Sequence, residues 1–196
     1  MQRSRRLRCA RTRTPVYDVI TPDLAGWISR QRVFFVATAP RAEDGLVNCS
    51  PKGMDTFRVR GPQEVAYLDL TGSGVETIAH VRENGRIVLM FCAFDGPPKI
   101  VRLHGVGEVI EAGSQTCAEL SAHFPAYPGA RAILRVRTTR ISDPCGYSVP
   151  RYEYLGDRDT LVRWAERKGA AGLDPYRKTK NVRSLDGLPG LAATSE

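Results

Sequence analysis

Short runs of β-branched and aromatic residues, each bounded by Gly, Pro, Asn or Asp, recur along this chain with too few helical patterns between them for a doubly wound fold. Residues 32–39 (RVFFVATA) begin the series, and the turn-rich stretch 40–45 leads into a second strand at 46–49, as in a hairpin. Further strand-like runs occupy residues 56–60, 64–70, 86–94, 100–111, 132–141 and 147–155. Within 133–138, Leu134 and Val136 share one face and Arg135 and Arg137 the other, the pattern of an antiparallel strand with one face toward a core. Helical spacing appears at 73–84, 114–124 and 157–168, with Ser114 as N-cap and Gly169 as a stop just past Lys168. A shorter packing helix begins at Thr21-Pro22-Asp23, with Leu24, Trp27 and Ile28 as its apolar stripe. About seven strands without strict βαβ alternation predict a mainly β fold, an antiparallel barrel with a few short flanking helices.

The 196 residues suffice for one domain with a real core, and no apolar run reaches the roughly 20 residues of a membrane span. A net charge of +8 suggests a polyanionic partner until it is located. Six arginines (Arg3, Arg5, Arg6, Arg8, Arg11, Arg13) crowd the first 14 residues without one acid, and removing them leaves +2. Specific nucleic-acid binding is therefore not expected, and residues 1–15 read as a disordered basic arm. An acid-free, arginine-rich start also has the composition of an organelle transit peptide. Five cysteines without paired spacing, and three scattered histidines, predict a reduced cytoplasmic protein without a structural metal. Cys49 and Cys92, both in strands, are expected to be buried and inert.

Two segments carry residue types suited to an anionic ligand. Asn48-Cys49-Ser50-Pro51-Lys52-Gly53 runs from a strand into a turn bearing a hydroxyl (Ser50) and a cation (Lys52), although a solvated turn has the same composition. Leu70-Thr71-Gly72-Ser73-Gly74-Val75-Glu76-Thr77 leaves a strand through a glycine-rich turn into a helix, where unpaired amides can cradle a phosphate. Ser73 with Glu76 also reads as a capping box. His104-Gly105-Val106-Gly107 sets two glycines inside a strong strand, which a close flat ring and a barrel corner explain equally well. No nucleophile elbow, HExxH or Ser/His/Asp set is present, so any redox chemistry would come from a cofactor.

Taken in order, these segments resemble the pyridoxamine 5'-phosphate oxidase-like family of FMN-binding split barrels over residues 17–141. The resemblance is strongest in Val65-Ala66-Tyr67-Leu68-Asp69-Leu70, the Gly/Ser turn and short helix, and Glu83-Asn84-Gly85-Arg86-Ile87-Val88-Leu89-Met90-Phe91, which parallels the family's "ENP" and following strand. Val101-Arg102-Leu103-His104-Gly105 is similar to its "VRVEG" strand. The resemblance implies a homodimer with FMN between subunits. It further implies that Asn48, Ser50 and Lys52 line the site, that Leu68 and Asp69 lie beside the ring, and that Ser73 and Thr77 lie near the phosphate. Where the authentic oxidase carries an Arg-Lys pair after the turn serine, this chain has Gly74-Val75, and Lys52 or Arg102 is the expected substitute.

The family's carboxy-terminal substrate segment has no counterpart here, so true pyridoxamine phosphate oxidase activity is not expected. Residues 146–196 instead offer an aromatic strand (147–155), a Trp164 helix and a basic tail with Arg177, Lys178, Lys180 and Arg183, expected to pack on the barrel of residues 16–145 or on the partner. The resemblance thus implies an FMN-dependent oxidoreductase acting on a small molecule, with no membrane partner. A non-enzymatic flavin, deazaflavin or haem-binding barrel is the alternative.

Overall fold

Burial alternates along β2 (Val33–Thr38): Phe34, Val36 and Thr38 turn inward, while the residues between them are only half-buried. The same period runs through β6 (Arg86–Cys92), where Ile87, Leu89 and Phe91 are buried, and it sets the inner face of one curled sheet. The computed structural model describes residues 15–191, so all but Pro15 of the expected basic arm lies outside the described residues. The remaining strands are β1 (Val16–Tyr17), β3 (Asn48–Gly53), β4 (Phe57–Gly61), β5 (Glu64–Leu70), β7 (Ile100–Glu111) and β8 (Ala130–Ser142). Every pairing is antiparallel, in the order β3-β2-β6-β7-β8-β5-β4, with β1 also on β8.

β4, at one end of that order, packs across the core on β2 and β6. Phe57 of β4 lies 5.2 Å from the Phe34 ring of β2 and 5.0 Å from the Phe91 ring of β6, centroid to centroid. The sheet is therefore an antiparallel split barrel closed by aromatic packing, in agreement with the fold expected from the strand pattern.

Among the described residues four helices plug and flank the barrel. In α1 (Pro22–Ser29), Thr21 Oγ1 accepts from Leu24 N at 3.3 Å, Pro22 opens the first turn, and Leu24 and Ile28 are buried. α2 (Glu76–Asn84) sends Ile78 and Val81 into the same core and stops at Gly85, whose φ of 71° suits a left-handed C-cap. α3 (Gln115–Ser121), capped by Ser114, covers the outer face of β5 and β8, so Leu68 and Ile133 are buried there in a second cluster with Leu120 and Phe124. Among the described residues no helix is long and apolar enough to cross a membrane.

The glycines of the His104–Gly107 stretch answer to backbone packing. The β7–β8 register shifts between His104 and Gly105, and a Cβ on Gly105 would lie 2.4 Å from the Arg137 carbonyl oxygen. A Cβ on Gly107 would press on Val81 of α2 at 3.1 Å. The barrel corner accounts for Gly105, and the close packing of α2 on β7 accounts for Gly107.

Four local expectations need correction. Residues 147–155 form no strand: Pro150 lacks a donor, Val149 N turns back to Gly146 O, and Tyr152 N donates to Phe94 O at 2.9 Å without a ladder forming. Ser73 and Glu76 make no capping box, because α2 starts one turn later with Val75 at its N-cap, and Glu76 Oε1 accepts instead from Leu185 N. Gly169 (φ 60°) does break the last helix, yet α4 (Thr160–Lys180) resumes beyond it. Cys49 is exposed because β3 is an edge strand with one face open, whereas Cys92 is buried.

Candidate functional site

At one end of the barrel, β3, β2 and α2 bring polar side chains together in the interior. Asn48 Nδ2 donates to Thr77 Oγ1 at 2.9 Å and to Thr38 Oγ1 at 3.3 Å, while Ser50 Oγ donates to Asn48 Oδ1 at 2.9 Å. Thr38 Oγ1 also lies 3.0 Å from Nδ1 of the wholly buried His80, whose Nε2 faces Asp186 Oδ2 at 3.4 Å. A carboxylate can only accept, so the shared proton is assigned to Nε2, and Nδ1 accepts from the Thr38 hydroxyl. Asp186 Oδ1 accepts in turn from Leu46 N at 3.1 Å.

A cationic cluster adjoins this chain of bonds. Asp69, with its side chain 1% exposed, accepts from Lys52 Nζ at 2.8 Å and from Arg131 Nε at 2.7 Å. Burial pushes the Asp69 carboxyl up, but Lys52 and then Arg131 outweigh it and hold the group below its ordinary value of 3.8. The enclosed Tyr67 hydroxyl beside them is pushed well above its usual range, first by burial and then by the Asp69 charge. Arg177 from α4 completes the cluster, donating from Nε to Thr71 Oγ1 at 2.9 Å and from Nη2 to Ala130 O at 3.0 Å.

The segment after α4 clasps the glycine turn of its own chain. Asn181 Nδ2 donates to Gly72 O at 3.0 Å, Arg82 donates to Gly190 O, and Leu185 N reaches Glu76. Gly190 is held tightly: a Cβ there would lie 2.3 Å from Asn181 O and 2.7 Å from Val75. The tail thus packs on the barrel, on the turn that the sequence singled out.

Of the sequence-derived candidates, Asn48, Ser50 and Thr77 share one network, and Lys52 and Asp69 share the adjoining one. Ser73 is exposed at the turn. Leu68 faces the opposite side of β5, beneath α3, because side chains alternate across a strand. Arg102 stands apart: its register partner is Ser142, at the far end of β8 from Ala132, the partner of Asp69. Thr38, His80, Asp186, Arg131 and Arg177 were not singled out as site residues. One signal was available for Arg131, since an acid in the apolar run AYLDL requires a buried cation opposite it.

A second hollow, about 630 Å³, opens between the α1–β2 loop and residues 152–158. Phe94 packs on Tyr152 at 5.3 Å there, and the Arg32 guanidinium lies 5.0 Å over the Tyr154 ring. Its volume is that of a small-molecule site.

Among the described residues, an eight-stranded antiparallel split barrel with an interior cluster of basic and hydroxyl side chains beside a glycine turn defines the class. The sequence profile described as Pyridoxamine 5'-phosphate oxidase matches residues 20–145, and the chain belongs to that family. It is 39% identical over 192 residues to the pyridoxamine 5'-phosphate oxidase family protein ustO of Aspergillus flavus, covering 89% of this chain and 77% of the relative. Among solved structures it is similar to HupZ of Group A Streptococcus, with TM-score 0.51 and 20% identity over 68% of this chain and 99% of that one. A putative pyridoxamine 5'-phosphate oxidase from Lactobacillus delbrueckii is similar at TM-score 0.50 and 18% identity, over 64% of this chain and 94% of the other.

Proposed function

We propose that this chain is an FMN-dependent oxidoreductase acting on a small molecule, cytoplasmic and working as a homodimer. The observation that carries the reading is the buried Asp69 carboxylate held by Lys52 and Arg131, with Arg177 bonded to Thr71 at the adjoining glycine turn. A Cβ on Gly72 would meet nothing within 4 Å, and the exposed Ser73 hydroxyl adjoins it, so basic and hydroxyl groups fit a phosphorylated planar cofactor. Bound FMN supplies the hydride and electron chemistry. The chain's own part is to bind, orient and exclude water: Asn48 and Ser50 offer the amide and hydroxyl, and Thr77 and Thr38 fix the Asn48 amide.

A second reading, a flavin carrier without turnover, is favoured by the state of His80. This imidazole is enclosed and engaged at both nitrogens, so it is poorly placed to exchange protons with a substrate. A visible absorption spectrum and a fluorescence titration with FMN test both readings. Saturable quenching at one flavin per subunit with turnover on a reduced nicotinamide cofactor supports the oxidoreductase. Binding without turnover supports the carrier. A Soret band, or binding of deazaflavin alone, overturns the FMN assignment.

A further inference from the structure

The glycine turn of this chain carries Gly74-Val75 in place of two cations, yet the region around it is strongly basic. Arg131 is 7% exposed; its Nε is committed to Asp69, and its Nη1 is enclosed without a partner among the described residues. Arg177 is held across the same turn by Thr71 and the Ala130 carbonyl. Its Nη1 lies 3.6 Å from Asp174 Oδ1, a carboxylate 62% exposed and therefore screened by water. Burial is the main influence lowering the Arg177 pKa, and the Arg131 charge adds to it, whereas Asp174 opposes both. The Asp69 carboxylate is thus divided between Lys52 and Arg131, and Arg177 stands close enough to Arg131 for the two guanidinium groups to repel each other.

The position of Arg177 is built in. Leu173 of α4 is buried, Ala165 packs over Gly129, and Asn181 ties the end of the helix to Gly72 O. A guanidinium held this rigidly beside a second one is suited to the fork geometry of a phosphate group.

We propose that Arg177, with Arg131 behind it, holds the 5'-phosphate of the flavin, so that α4, outside residues 20–145 of the family match, makes this barrel prefer FMN to riboflavin. The assignment rests on the flavin reading above and moves the phosphate grip away from Arg102.

Dissociation constants for FMN and for riboflavin, measured by flavin fluorescence on the full chain and on Arg177→Met, test it. The wild type should bind FMN at least about tenfold more tightly than riboflavin, and Arg177→Met should erase most of that gap while changing riboflavin affinity less than about twofold. Equal affinities in the wild type, or a gap that survives Arg177→Met, overturns the proposal and leaves flavin binding intact. Binding of neither flavin by the wild type overturns the flavin reading as well. Riboflavin affinity and the circular dichroism spectrum report folding in each variant. Should Arg177→Met unfold, Arg177→Lys keeps a cation near Thr71 without the fork. A narrowed gap in that variant supports the proposal, and an unchanged gap refutes it.

Discussion

Replacing Asp69 with Asn removes the carboxylate that pairs with both Lys52 and Arg131, and leaves a side chain of nearly the same shape. The Lys52 side chain is 23% exposed and can turn its ammonium toward water, so its share of the loss is small. The Arg131 side chain is 6% exposed and has no such escape. Removing one partner of a buried ion pair costs about 3–5 kcal/mol, and the mobile Lys52 argues for the lower end, about 3 kcal/mol. For a chain of this size that is a fall of about 6–12 °C in Tm.

The pH dependence should change with it. The Asp69 carboxyl is held below 3.8 in the folded chain, so its contribution is fully present above the unfolded pKa and is lost as pH falls through the folded value. Asp69→Asn should therefore flatten the acid limb of wild-type stability. Thermal melts at neutral pH and urea titrations down to pH of about 3 read both effects. The double variant Asp69→Asn/Arg131→Met should lose less than the sum of its singles, because the second change removes the stranded cation. A single variant that melts within about 2 °C of wild type would sink the reasoning, since it would mean that the cluster is hydrated.

Three further outcomes follow from the fold. Phe91→Ala should cost about 3–5 kcal/mol in chemical denaturation, because the ring closes the barrel against Phe34 and Phe57; a loss under about 1 kcal/mol refutes closure by those rings. Gly105→Ala should destabilise by about 1–3 kcal/mol, since its methyl meets the Arg137 backbone, and a neutral melt would remove the barrel-corner account of that glycine. In thiol labelling of the native protein, exposed Cys49 should react well before Cys92, whose thiol is pushed up by burial; the reverse order refutes the outward orientation of β3 at that residue.

Much of this protein is legible from local pattern. The period-2 runs, the turn residues between them and the Thr21 and Ser114 caps act over a few residues, so they specified the strands, α1 and the start of α3 without tertiary context. Asn48 and Lys52 are legible by residue type, whereas Asp69 and Thr77 enter as site residues through the family resemblance, and the partners of all four lie elsewhere. What pairs with them is a long-range matter. Asp69 meets Arg131 only because β5 lies beside β8, and His80 meets Asp186 only because the tail folds back over α2. Leu68 and Asp69 are neighbours in sequence, yet the pleat sends one under α3 and the other into the barrel. The aromatic run 147–155 has strand composition and forms no strand, because composition does not supply a ladder partner: Val149 N turns back to Gly146 O and Tyr152 N reaches Phe94 O. Sequence alone therefore determined which residues could bond or bury; the closure of the sheet and the return of α4 and the tail decided which of them meet, since contacts between distant segments carry no local signature.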